Sequence, residues 1–357
     1  MILRSLSANA FRNLERREIP FHHQTNILVG RNGQGKTNLL EAIYFLATTK
    51  SFRTPRVSSL FQFDSPNVYV TGQLQRFGVE RALSVGLETG EVKRRALQVN
   101  GEKVTLSAYL NAMSVFAYSA SRLEILRGGP EEKRRFLDRG LASVQGGYLE
   151  QLGRCTRILK QKNALLQSRQ ASAASLDAWD VEFAAAAALV QDARATYAAE
   201  VFRTYRKIVA DHDYHVDGLT LEYRPSVPDA SRLRREELRA GTSLAGPQRD
   251  SIEFTVSGRA AHEVLSGGEQ KMVVLFLKFA KLELFRDRFD EPAIFLLDDV
   301  DAELDLEILQ KLMIGLPPET QVFATSAKET FLDALRAGPH RRLVIENGTV
   351  RNQTEFA

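Results

Sequence analysis

Cysteine is almost missing from this chain: Cys155 is the single one in 357 residues. One thiol cannot close an intramolecular disulfide and supports no cysteine-based metal cluster. Long apolar runs are missing too. The alanine-rich stretch Ala184–Val190 is too short to cross a bilayer and is flanked by charge. The opening segment MILRSLSANAFRN has no apolar h-region of the kind that marks a secretory signal. There is no internal repeat and no low-complexity tail. A secreted disulfide scaffold and a helical membrane protein are therefore not expected, and a soluble cytoplasmic protein is. With 44% hydrophobic residues the chain can bury a large core and form more than one structural unit.

The net charge is only +4, but it is unevenly spread. Residues 1–105 carry 15 Lys/Arg against 8 Asp/Glu, and residues 245–357 carry 13 against 19. The basic excess lies in the N-terminal third, as a polyanion-binding face requires. Lys50, Arg53, Arg56, Arg76, Lys93, Arg94 and Arg95 are the candidate contacts to such a polyanion. Ordinary solvated surface charge is the competing account of each.

Phosphate chemistry is written at residues 30–37. Gly30-Arg31-Asn32-Gly33-Gln34-Gly35-Lys36-Thr37 fits G-x-x-x-x-G-K-[ST], and its context is right. Ile27–Val29 reads as a short buried strand before it. Asn38–Ala47 reads as an amphipathic helix after it, with Leu39, Ile43 and Leu46 on one face. Glycines let the backbone wrap phosphates, and the helix N-terminus offers unpaired N–H groups. Lys36 supplies charge to the β/γ oxygens of ATP, and the Thr37 hydroxyl is placed to ligate Mg²⁺. Far downstream, Ala293–Leu297 is an apolar run that reads as a buried parallel strand and ends in Asp298-Asp299. Carboxylates at a strand's C-terminal end sit where α/β folds hold ligands. Asp298 would hold Mg²⁺, and Asp299 would orient or deprotonate the attacking water. About 260 residues separate Lys36 from Asp298, yet both must meet on one phosphate.

The chain between them changes character. Residues 1–105 read as strands (Val68–Leu74, Val79–Leu87, Ala96–Val99) with an Asn100-Gly101 turn. Residues 106–244 read as helical, with Glu131–Leu141, Tyr148–Ser168 and Ser175–Ala210 the longest stretches. The last third alternates again, with a helix from Leu304 and a closing hairpin through Asn347-Gly348. The expected architecture is an α/β P-loop nucleotide-binding head. Its split lobe comes from residues 1–105 and 245–357, and residues 106–244 form an inserted, mainly helical lobe.

Leu265-Ser266-Gly267-Gly268-Glu269-Gln270 resembles the ABC-ATPase signature. Asn32 and Asn38 beside the phosphate loop fit the SMC branch better than the transporter branch. Within that branch the chain resembles the RecF family. Phe11-Arg12-Asn13, Ser51-Phe52-Arg53-Thr54, Gly128–Asp138 (GGPEEKRRFLD), Gly246–Asp250 (GPQRD) and Leu297–Asp305 (LDDVDAELD) look like its motifs, in its order. Three places depart. Ala120-Ser121-Arg122 stands where the family has Pro-Glu-Asp, Gln248 replaces a common His, and Thr325-Ser326 stands where transporters keep a switch histidine. Asp299 is shorter than the Glu of most ABC ATPases, which implies slow turnover.

The resemblance implies an ATP-dependent homodimer in which Ser266, Gly267, Gly268, Glu269 and Gln270 of one chain close on ATP held by the other. It implies a loop at Asp301, Glu303 and Asp305 crossing the dimer seam, and Arg12 and Asn38 near the nucleotide. It further implies binding of double-stranded and gapped DNA, work with RecR and RecO, and RecA loading during recombinational repair. A transporter subunit would need a much shorter interval from phosphate loop to signature and an Asp-Glu pair. An ATPase-linked nuclease would need a further carboxylate-rich domain.

Overall fold

The computed structural model describes residues 1–88, 94–119, 123–168, 173–212, 214, 216–299, 313, 315–317, 319–326 and 339–356. In chain order these form β1 (Ile2–Asn9), β2 (Glu18–Pro20), β3 (Thr25–Val29), α1 (Lys36–Thr48), β4 (Asn67–Arg76), β5 (Val79–Glu88), β6 (Arg94–Val99), β7 (Glu102–Lys103), α2 (Leu106–Leu110) and β8 (Val115–Ser119). There follow α3 (Glu124–Arg127), α4 (Pro130–Val144), α5 (Tyr148–Gln167), α6 (Ala173–Asp211), β9 (Leu219–Arg224), α7 (Ala230–Ala240), β10 (Ser251–Val256), β11 (Arg259–Ala260), α8 (Ala261–Val264) and α9 (Gly267–Phe289). The described chain closes with β12 (Ile294–Asp298), β13 (Val322–Ser326), β14 (His340–Glu346) and β15 (Thr349–Phe356).

The chain divides into two compact units, Met1–Arg122 with Lys281–Ala357, and Leu123–Ala280. In the first, a six-stranded sheet runs β15-β14-β3-β13-β12-β8, parallel except for the antiparallel edge strand β15. All five residues of β12 are buried, which is why the run 293–297 reads as unbroken hydrophobicity. A second sheet, β2-β1-β4-β5-β6-β7, is antiparallel. Helix α1 touches strands of both sheets. It is therefore buried nearly all round rather than on the single face expected for an amphipathic helix, with Leu39, Leu40, Ile43, Phe45 and Leu46 at 0% exposure. Gly72 on β4 admits it, since a Cβ there would lie 2.5 Å from Leu46. The expected Asn-Gly hairpins form, with positive φ at Asn100, Gly101, Asn347 and Gly348.

The second unit holds α3 to α8, the first part of α9 and the small sheet β11-β10-β9. Its helices α4, α5 and α6 pack on Phe136, Leu137, Leu141, Tyr148, Phe183, Val190 and Tyr197. The two units divide elsewhere than the composition shift does. Residues 106–122 group with the first unit because β8 pairs with β12 in the parallel sheet. Residues 245–280 group with the second because β10 pairs with β9. Strands β8 and β9 are only five and six residues long, so a helical reading of their neighbourhood passes over them.

Candidate nucleotide site and signature

Strands β3 and β12 flank β13 in the parallel sheet, so all three release their chains at the same edge. From β3 the chain enters the loop Gly30–Gly35 and then α1. Gly30 has φ +152, and a Cβ there would fall 2.3 Å from the Ile345 carbonyl oxygen of β14, so only glycine lets the two backbones come this close. Lys36 Nζ donates to the carbonyl oxygens of Gly30 at 2.5 Å and Arg31 at 3.2 Å, holding the ammonium inside the curl. Gly35 caps α1 without a side-chain bond, which leaves the first helical N–H groups to a ligand. Arg31, Asn32 and Gly33 are exposed on the crest.

Gln34 faces the other way. Its Oε1 accepts from the Asn347 N–H at 2.7 Å and its backbone oxygen from the Gly348 N–H at 2.7 Å, so its side chain braces the loop on the β14–β15 hairpin.

The Thr37 hydroxyl donates to Asp298 Oδ1 at 2.8 Å. Thr325 Oγ1 on β13 donates to the same oxygen at 3.0 Å and accepts from the Asp299 N–H at 2.8 Å. Burial, with the charge of Asp299 beside it, pushes the Asp298 carboxyl up to about 6, against the pull of the two hydroxyls and Arg53. Asp299 is exposed and has φ 51. The donor set is oxygen only, a carboxylate and a hydroxyl, which is what a hard cation such as Mg²⁺ takes.

Arg12 makes a two-point contact with Glu41, Nε to Oε2 at 2.8 Å and NH2 to Oε1 at 2.9 Å. Glu41 also receives Ser51 Oγ, and Arg53 NH1 lies 3.5 Å from it. Asn38 donates to Asn13 Oδ1 at 2.7 Å and accepts from Arg53 NH1 at 2.7 Å. Glu41, fully buried, thus ties the Phe11–Asn13 and Ser51–Thr54 segments to the helix after the phosphate loop. Sequence reading passed over Glu41. The signal was a lone glutamate inside the apolar run Leu39–Ala47, where a buried charge needs a partner.

Of the basic candidates, Lys50, Arg53, Arg56 and Arg95 are exposed. Arg76 is committed inward, with Nε 2.8 Å from Glu291 and NH1 2.6 Å from the Asn111 carbonyl. Arg94 sits on β6 opposite Glu88. Lys93 and the expected seam loop, Asp301, Glu303 and Asp305, lie outside the described residues.

In the second unit, residues 266–269 form a capping box at the start of α9. The Ser266 N–H donates to Glu269 Oε2 at 2.8 Å, and the Glu269 N–H donates to Ser266 Oγ at 3.3 Å. Hydrogen bonds from Ser266 hold the Glu269 carboxyl below its usual range. Gln270 is buried and braces the turn from behind. It donates to the carbonyls of Leu265 at 2.7 Å and His262 at 3.1 Å, and it accepts from Arg127 Nε at 2.6 Å. Gly267 and Gly268 stand in open space. The serine, the two glycines and the N-terminus of a long helix make a surface suited to an anion.

The same unit brings two motifs together through Arg194. Its guanidinium meets Asp138 at 2.9 and 3.0 Å, Asp250 Oδ2 at 2.8 Å and the Pro247 carbonyl at 2.6 Å. Tyr148, Tyr223, Gln191 and the Ser226 N–H complete the two carboxylates. Arg194 also went unnoticed in sequence, for the same reason as Glu41: it is a charge inside an alanine-rich helix.

Fold and site together define an ABC-type ATPase head of the SMC kind. Residues 2–342 match the RecF/RecN/SMC N-terminal domain family. The DNA replication and repair protein RecF of Geobacter metallireducens is 34% identical, with 98% of this chain and 99% of that protein covered. That of a Synechococcus strain is 35% identical, with 94% and 93% covered. The chain belongs to the RecF family. Among solved structures, the recombination mediator protein RecF–ATP of the RecFOR pathway shares the fold at TM-score 0.87 and 24% identity, covering 100% of this chain and 98% of that one. An Smc head bound to the C-terminal winged-helix domain of ScpA does so at 0.56 and 15%, covering 100% and 98%.

Proposed function

We propose that this chain is an ATP-operated DNA-binding repair protein, a switch more than a motor. ATP binds on the loop Gly30–Thr37, with Lys36 and the first N–H groups of α1 on its phosphates and Arg12 and Asn38 nearby. Thr37 and Asp298 hold Mg²⁺, which when bound shields the phosphate charge. Asp299 positions the attacking water and takes its proton. The single observation that carries this reading is the 2.8 Å hydrogen bond joining the loop's threonine to the aspartate at the end of β12.

The capping-box surface Ser266–Glu269, braced from behind by Gln270, closes on ATP held by a second copy, and the loop containing Asp301, Glu303 and Asp305 lines that seam. ATP thereby gathers two basic faces, with Lys50, Arg53, Arg56, Lys93, Arg94 and Arg95 as candidates, into one groove for the backbone of double-stranded or gapped DNA. Arg76 belongs to this set less well, being paired with Glu291. Slow hydrolysis, stimulated by DNA, resets the clamp. Kinship with RecF supports work alongside RecR and RecO in RecA loading. Among the described residues no helix is long and apolar enough to cross a membrane, and a cytoplasmic place of work is part of the proposal.

The test is size-exclusion chromatography with light scattering, in ATP and in ADP, on wild type and Ser266→Arg. Wild type should dimerise only with ATP, and the variant should bind ATP yet stay monomeric. A wild type that is monomeric in ATP, or a variant that dimerises normally, rules out the clamp.

A further inference from the structure

We propose that Thr325 is a positioning residue for ATP hydrolysis: its one hydroxyl sets both the metal-binding carboxylate of Asp298 and the backbone of Asp299. The inference rests on the ATPase reading above and assigns a role to a position that sequence singled out only as a departure from transporters.

Thr325 is fully buried on β13, between β3, which feeds the phosphate loop, and β12, which ends at Asp298. Its Oγ1 carries a single proton, and that proton goes to Asp298 Oδ1 at 3.0 Å. Its lone pair takes the Asp299 N–H at 2.8 Å. The pairing of β12 with β13 ends at Leu297 opposite Ala324. Past that point β13 gives the Asp299 amide no ladder partner, and the threonine hydroxyl accepts in its place. That bond also helps hold the backbone of Asp299 at φ 51, a left-handed conformation disfavoured for residues with a Cβ, though Asp tolerates it better than most. Asp298 Oδ1 in turn receives two hydroxyls, one from Thr37 in the phosphate loop and one from Thr325. Two donors on one oxygen, one from α1 and one from β13, restrain the carboxylate's rotation. Thr325 touches neither nucleotide nor metal in this scheme and acts through the two aspartates.

Valine has nearly the same shape as threonine and neither donates nor accepts. Serine keeps the hydroxyl. In Thr325→Val the turnover number should fall by about 10- to 100-fold, the loss expected when a reacting group is displaced by roughly an ångström. The Mg²⁺ concentration for half-maximal hydrolysis should rise by about threefold or more, with ATP binding at saturating Mg²⁺ changed by less than about threefold. Thr325→Ser should restore turnover to within about threefold of wild type. A purely packing role would instead make serine, which loses a buried methyl, the worse variant. Thermal melts establish that each variant folds, and if Thr325→Val does not melt cooperatively, Thr325→Ala against Thr325→Ser carries the same comparison. Wild-type turnover and Mg²⁺ dependence in the variant lacking the hydroxyl overturn the inference while leaving the ATPase reading standing. A wild type that binds ATP and never hydrolyses it overturns both.

Discussion

Thr37 and Asp298 lie 261 positions apart and share a 2.8 Å hydrogen bond. The bond closes the split lobe at the one point where chemistry demands it, and it leaves a carboxylate buried. The Asp298 carboxyl is raised to about 6 from an ordinary value of 3.8, chiefly by burial. The stabilisation tied to its protonated form is complete below pH about 3.8 and is lost as pH rises through about 6. Asp298→Asn keeps an acceptor for Thr37 and Thr325 and cannot ionise. It should therefore stabilise the nucleotide-free protein by about 2–3 kcal/mol at pH 8, with the gain fading toward pH 4, while Mg²⁺-dependent hydrolysis disappears. Urea midpoints at pH 4, 6 and 8 measure this. A variant no more stable at pH 8 than at pH 4, relative to wild type, would refute the assignment of a strained, ionised Asp298.

The hairpin that braces Gln34 predicts a contrast between two glycines. A Cβ on Gly348 would fall 1.8 Å from the Asn13 carbonyl oxygen at φ +78, whereas at Gly101, with φ +80, it would meet nothing within 4 Å. Gly348→Ala should cost about 2–4 kcal/mol and weaken ATP binding, because the shifted turn releases both N–H donors from Gln34. Gly101→Ala should cost only about 1 kcal/mol, the backbone penalty alone, and leave ATP binding unchanged. Equal losses in thermal unfolding of the two variants would show that the Asn13 contact gives way freely.

The phosphate loop and the β12 aspartates were legible because their chemistry is local: glycine spacing and a strand end carry it whatever packs around them. The Asn-Gly turns at 100–101 and 347–348 were legible for the same reason. Glu41 and Arg194 were not, because the partners that make a buried charge tolerable come from distant segments, Arg12 and Ser51 for one and Asp138 and Asp250 for the other. Thr325 was visible only as a substitution, since its meaning depends on β13 lying between β3 and β12. Helix α1 shows a limit of periodicity, because a helix covered by two sheets has no polar face to reveal its period.

Arg194 is the hub of the second unit, and its loss strands two carboxylates. Asp250 is fully buried and the Arg194 side chain is 3% exposed. Removing one partner of a buried ionic network costs about 3–5 kcal/mol, because the charges left behind stay desolvated. Arg194→Ala should lose that much in urea denaturation. Arg194→Lys should recover only part of it, since an ammonium cannot present a planar fork to Asp138 while reaching Asp250. A loss below about 1 kcal/mol in the alanine variant would mean that Tyr148, Tyr223 and Gln191 satisfy the carboxylates without it.

If the proposed ATP-bound dimer forms, Ser266 has two separable duties, and one substitution divides them. As the N-cap of α9 its oxygen accepts from the Glu269 N–H, and its exposed hydroxyl stands where the phosphate of a second copy is expected. Aspartate caps a helix as well as serine does, so Ser266→Asp should fold with stability within about 0.5 kcal/mol of wild type. It also sets a negative charge where a phosphate must approach, so ATP-dependent dimers should vanish. Ser266→Ala does the reverse: it should lose about 1 kcal/mol of stability with the cap and weaken dimerisation by less than the aspartate does. Light scattering in ATP read beside thermal melts gives both quantities for each protein. If Ser266→Asp still dimerises with ATP, the residue is a cap and nothing more, and the contact across the seam must come from elsewhere.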